Sequence, residues 1–204
     1  MSDPGIRLIA FWTLVAIIEH LMPPDYYSMN LLGAHVDQHV FRDLLSDKLP
    51  KVHEVLEKFG VEVSLFSWFL TCFVDNIPVD VYLRIWDVFL YEGNKVLFRF
   101  ALAFFKLHEE EIIATTDSVQ VNTLIRTLGE IRCDVRALCR IAFTFLNPFP
   151  MNRVRTKRQH YAQVVRSELE RLDQIRRSLP SYDASFTVAT SAASAVDPDD
   201  NDSD

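Results

Sequence analysis

Glycine is scarce in this chain. Five glycines in 204 residues, at Gly5, Gly33, Gly60, Gly93 and Gly129, are too few for a hairpin-rich β protein or a glycine-studded nucleotide fold. They stand far apart and read as punctuation between helices. Cysteine is equally sparse. Cys72, Cys133 and Cys139 are an odd number with no CxxC pair, which argues against a disulfide framework or a structural zinc site and fits a reducing compartment. No one sign of charge runs through the chain. The net charge of -7 hides three regions: residues 1–150 hold 13 Lys/Arg against 19 Asp/Glu, residues 151–179 hold 8 against 3, and residues 180–204 hold 0 against 6. The overall acidity therefore says little about partners.

A long apolar run is also missing. Leu8 to Ile18 (LIAFWTLVAII) is an uncharged run of eleven residues, where a bilayer span needs about 20. As a signal peptide it lacks a basic leading region, because Asp3 offsets Arg7, and Glu19-His20 before Pro23-Pro24 makes a poor cleavage site. A helix apolar on nearly every side reads as a central core helix.

Signatures of catalysis are absent as well: there is no GxSxG, P-loop or paired-acid pattern. His35 and His39 share a helix face as in HExxH, but the glutamate position holds Val36 and no third ligand is evident, so they read as polar surface histidines. His20, His53, His108 and His160 have no Ser or Cys partner in a nucleophile motif. Neither a metal nor a cofactor is expected. Glu109, Glu110 and Glu111 point in different directions around a helix and suit a solvated helix start.

What the chain has is large side chains in helical register. Fifteen Phe and three Trp suit an aromatic core. Val36, Val40, Leu44 and Leu45 form one stripe, Val52, Val55, Leu56 and Phe59 another, and Leu97, Phe100, Ala101 and Phe104 a third. Ser64 is placed to cap an aromatic helix, LFSWFLTCFVD. Pro78 suits the start of the next, which runs through Ile85, Trp86 and Phe89 to a stop at Gly93. Two more helical segments lead to about Leu146, where Asn147-Pro148-Phe149-Pro150 breaks the pattern. No stretch demands a strand, so the fold class is all-α over residues 6–179.

Residues 151–179 form a basic helix with a stripe of Tyr161, Val165, Leu169, Leu172, Ile175 and Leu179. Glu168, Glu170 and Asp173 interrupt its basic face, which disfavours nucleic acid. Docking on the domain, or a coiled-coil partner, is the better reading. Arg153, Arg155, Lys157 and Arg158 offer weak attraction to an anionic membrane or an acidic partner. Residues 180–204, ending in DPDDNDSD, have the composition of a disordered acidic tail.

The ordered series AFWTLVAIIEHLMPPDYYS, GAHVDQHVFRDLLSDKLP and SWFLTCFVDNIPVDVYLRIWDVFLYEGNKVLFRFALAFFK resembles the second half of a TBC domain, the helical module of Rab GTPase-activating proteins, and is most similar to its Armus-type branch. The resemblance runs from about Ala10 to Leu179. It implies that residues 1–150 are a partial TBC domain in a regulator of Rab small GTPases, cytoplasmic and peripheral on endosomal membranes. A non-catalytic Rab-binding module is the alternative. Such proteins insert an Arg finger, which neutralises charge on the transferred phosphoryl group, and a Gln finger, which orients the attacking water. The family carries these in IxxDxxR and YxQ motifs upstream of the AFW helix, where MSDPGIRLI matches neither.

Three look-alikes fail. Ile131 to Arg136 has its Arg one place early, Ile77 to Arg84 has it one place late, and Tyr161-Ala162-Gln163 lies inside the basic helix without the family's flanking residues. No catalytic residue is therefore expected, the chain itself is expected not to be an enzyme, and helices that pack against the other half are expected to expose large apolar faces. The family landmarks are Trp68, Phe69, Arg84, Trp86 and Asp87. Core packing suits the two Trp residues. Arg84 and Asp87 suit either a GTPase contact or an ion pair joining two helices.

Overall fold

The computed structural model describes residues 3–74, 76–130 and 134–178. Among these there are ten α-helices and no strand: α1 Pro4–Ala16, α2 Leu32–Lys48, α3 Pro50–Phe59, α4 Phe66–Leu70, α5 Val79–Glu92, α6 Lys95–Leu107, α7 Glu109–Ile113, α8 Ser118–Thr127, α9 Val135–Arg140 and α10 Met151–Ser178. Two π-helical turns, Ile17–Leu21 and Ile141–Phe145, extend α1 and α9. The chain divides into two compact units, residues 1–167 and 168–204. Ile131, Arg132, Cys133, Leu179 and the acidic tail lie outside the described residues.

The centre of the first unit is α6. Every residue from Val96 to Phe105 is buried, and the helix packs against α2, α5, α9 and the second π-turn. Its neighbours are aromatic: Phe41 meets Phe105 at 5.6 Å and Phe69 at 5.8 Å between ring centroids, Phe69 meets Phe98 at 5.2 Å, and Trp68 meets Phe104 at 5.4 Å. Each fully buried Phe of this kind contributes roughly 1.5–3 kcal/mol by leaving water. Arg99 is the one charge in this buried stretch. It donates to the Ala142 carbonyl at 2.9 Å and lies over the rings of Phe143 and Phe149. That contact fixes the π-turn and the loop behind it against the core.

The periodic stripes behave as their spacing requires. Val36, Val40, Leu44 and Leu45 of α2 are buried, as are Val52 and Leu56 of α3. Gly60 stops α3 in the left-handed region, with φ 61° and ψ 32°, which a residue with a Cβ adopts at a cost. At Gly129 the constraint is space: a Cβ would stand 2.3 Å from the Asn76 carbonyl oxygen.

Three expectations are corrected. The core helix is α6, not the apolar segment at the N-terminus. None of the residues of α1 is buried, and Leu8, Ile9, Phe11, Trp12 and Leu14 are each more than half exposed. The helical rod is also longer than the uncharged run. Pro4–Leu21 counts 18 residues, long and apolar enough by length and composition alone to cross a membrane. An apolar pattern on every side specifies that a helix needs cover, and the described residues do not supply it.

The second correction concerns LFSWFLTCFVD, which is a helix only over Phe66–Leu70. Cys72 and Phe73 turn into the left-handed region at φ 50° and 71° and end it. Ser64 does not cap it. The Leu65 N–H is satisfied by Gln38 Oε1 of α2 at 3.0 Å, while Gln38 Nε2 donates to the Val63 carbonyl. Third, the apolar stripe of α10 is buried only at Val165, joined by Val154. Tyr161 is half-buried, and Leu172 and Ile175 are exposed.

Candidate functional site

The landmark residues divide between the inside and the outside of α4 and α5. In α5 the inward stripe is Val81, Ile85 and Phe89, spaced by four, which turns Val79, Asp80, Leu83, Arg84, Asp87 and Leu90 outward. Trp68 and Phe69 are buried in the aromatic core. Trp86 is half-buried. Its indole Nε1 donates to the Cys72 carbonyl at 2.9 Å and its ring sits edge-on to Phe89. Arg84 and Asp87 pair at 3.4 Å within one helix, with side chains 70% and 69% exposed. The pair therefore joins no second helix, and both side chains face solvent.

Beside them lies an open cleft of about 490 Å³ lined by Asp80, Arg84, Asp87, Val88, Arg136 and Cys139. On the other flank of α5 a cleft of about 420 Å³ is lined by Trp68, Ile77, Val79, Tyr82, Arg126 and Glu130. The crest between, with Val79 and Leu83 at its centre and charged residues at its edges, has the arrangement of a protein-binding surface: apolar middle, polar rim.

The look-alike finger residues sit in other roles. Arg136 is exposed in the first turn of α9, where its backbone N–H donates to the capping Asp134 carboxylate at 2.9 Å. Gln163 is exposed in the middle of α10. Tyr161 anchors α10 by donating its phenol to Asp43 Oδ1 at 2.8 Å. His35 and His39 are half-buried rather than surface residues. Their rings lie 4.8 Å from Phe66 and 5.2 Å from Tyr161.

A charge zipper that the sequence did not announce joins α2 and α10. Asp37, Asp43 and Asp47, ascending α2, meet Arg158, Lys157 and Arg153, descending α10. The deepest contact is a two-pronged one. Arg158 Nε donates to Asp37 Oδ1 at 2.6 Å and Arg158 Nη2 to Oδ2 at 2.7 Å, with Asp37 only 1% exposed. Burial pushes the Asp37 carboxyl above its ordinary value, with the Arg158 hydrogen bond and charge pulling the other way. At Asp43 burial would also raise the carboxyl. Hydrogen bonds from Lys157 and Tyr161 and the Lys157 charge outweigh it and hold the group below its ordinary value. Three of the four basic residues at the start of α10 are thus engaged with α2. The opposite order of acids and bases along the two helices was the available signal.

Comparison with known proteins gives this geometry a family. TBC1 domain family member 2B of Mus musculus is 50% identical over 169 residues, covering 82% of this chain and 18% of that protein. The human protein TBC1 domain family member 2A is 41% identical over 188 residues, covering 91% of this chain and 20% of that protein. The chain thus spans about a fifth of the length of these relatives. A crystal structure of the Chlamydomonas flagellar RabGAP TBC domain superposes with a TM-score of 0.57 at 28% identity, covering 66% of this chain and 44% of that one. The Rab-GTPase-TBC domain model matches residues 5–113, and the chain, all-helical through its described residues, belongs to the RabGAP-TBC family.

Proposed function

We propose that this chain is the scaffold portion of a regulator of Rab small GTPases, presenting a Rab-binding surface on α5 without itself supplying the Arg and Gln fingers. The observation that carries the reading is the split of the family landmarks. Trp68 and Phe69 build the core behind α5, whereas Arg84 and Asp87 project from its outer face beside the cleft with Arg136. The reading places the chain in the cytoplasm, peripheral on endosomal membranes by way of its Rab. The exposed Leu172 and Ile175 support a helical partner for the distal part of α10.

The chemistry expected of the chain alone is binding without turnover. Its only residues that resemble the finger motifs are an N-terminal-turn arginine, a mid-helix glutamine and an arginine paired to Asp87. Loss of an Arg finger forfeits roughly 4–7 kcal/mol of transition-state stabilisation, from a rate effect of about 10³–10⁵. The test is single-turnover GTP hydrolysis across a Rab panel, with Rab binding measured in parallel. Binding that weakens on Arg84→Glu, with hydrolysis at the intrinsic rate, supports the proposal. A hundredfold acceleration abolished by Arg136→Ala or Gln163→Ala overturns it. The alternative, a non-catalytic interaction module, predicts that binding persists and that restoring the upstream finger motifs adds no turnover.

A further inference from the structure

Asn94 stands at the N-cap of α6, where an asparagine side chain ordinarily accepts a backbone N–H from the first turn. Here it makes no capping bond. Its Nδ2 instead donates to the Leu21 carbonyl at 2.6 Å, and its Oδ1 accepts from Arg158 Nη1 at 3.0 Å. Both partners fix the amide's orientation. The flipped form would set an NH₂ group against the guanidinium and a carbonyl against a carbonyl. One side chain therefore bridges the end of the α1 rod and the arginine that seats α10 on Asp37, segments 73 and 64 residues away from it in sequence.

We infer that Asn94 is a positioning residue coupling the seating of α10 to the placement of α1. None of the residues of α1 is buried, whereas Ile17 and Met22 at the end of the rod are, and the Leu21 carbonyl between them takes the Asn94 bond. Arg158 is committed to Asp37 by two prongs, which leaves Nη1 to fix Asn94. A donor held from behind is a stiffer support than one free to rotate. In the family pattern behind the proposed Rab reading the finger motifs precede the helix that corresponds to α1, so in a chain that carries them the direction of that helix sets where they stand. That consequence rests on the reading, whereas the coupling does not.

Hydrogen exchange followed by mass spectrometry on the whole chain tests the coupling with no GTPase present, so its outcome and that of the Rab assay are independent. Asn94→Asp keeps an acceptor for Arg158 but turns the donor facing Leu21 into another acceptor. Exchange across residues 17–22 is expected to rise on the order of tenfold, with residues 154–165 of α10 unchanged. Arg158→Lys keeps the charge on Asp37 but loses the fork that reaches Asn94, and is expected to speed exchange in both segments. Wild-type exchange at residues 17–22 in folded Asn94→Asp protein overturns the inference. So does an Arg158→Lys variant that loosens α10 and leaves residues 17–22 untouched.

Discussion

The indole N–H of Trp86 donates to the carbonyl of Cys72 at 2.9 Å, and Cys72 is in the left-handed region at φ 50°. A helix residue thus captures the backbone of a turn that no local pattern would favour. The turn ends α4 and directs the chain toward Pro78 and the start of α5. Trp86 is the fastener between the core-building landmarks and the outward-facing ones.

Replacing Trp86 by Phe keeps much of the packing against Phe89 but leaves the Cys72 carbonyl without this donor. A stability loss of about 1 kcal/mol is expected. Trp86→Ala removes packing as well and should cost about 3 kcal/mol, the lower end of the range for a large aromatic because the ring is only half-buried. Urea denaturation of the two variants checks the order and the spacing.

Gln38, not Ser64, holds the backbone that leads into α4. Gln38→Ala strands the Leu65 N–H and the Val63 carbonyl and is expected to destabilise by roughly 1–3 kcal/mol. Ser64→Ala should lie within about 0.5 kcal/mol of wild type, as an exposed residue with no such role. Equal losses in the two variants would contradict this tertiary support.

Two arginines should differ sharply in what truncation costs. Arg158→Ala leaves the buried Asp37 carboxylate uncompensated and is expected to cost about 3–5 kcal/mol. Arg84→Ala breaks only an exposed pair within one helix and should change stability by less than about 1 kcal/mol. Denaturant midpoints measured side by side separate the structural arginine from the one available for a partner.

The Asp43 contact makes a pH signature. Its carboxyl titrates lower in the folded chain than in the unfolded one, where it sits near pH 3.9. Its contribution is therefore fully present above that value and is lost as pH falls through the lower, folded pKa. Asp43→Asn should flatten the decline of stability below about pH 4 while leaving the slope between pH 5 and 7 unchanged. Urea midpoints at pH 7, 5 and 3.5 measure it.

Much of the helical framework was legible in the sequence because it is set by neighbours three and four residues apart. The stripe Val36, Val40, Leu44 and Leu45 declares the buried face of α2, Gly60 and Gly93 end helices, and the break from Asn147 to Pro150 precedes α10. The family was legible too, because the order of its helices survives in the chain. The candidate surface was half legible. Arg84 and Asp87 read as surface residues, but only the fold shows that they pair within α5.

Tertiary structure decided what faces what. The Asp37–Arg158 and Asp43–Lys157 pairs join residues 121 and 114 apart, a separation at which periodicity carries no information about contact. Gln38 reaches the Leu65 N–H at the entry to α4 across 27 residues, where the local pattern pointed to Ser64. The apolar segment near the N-terminus is the plainest case. Local signals, the Asp3 cap and Pro4 in the first turn, start α1 as a helix, but burial depends on what surrounds it, and in the fold that central place belongs to α6.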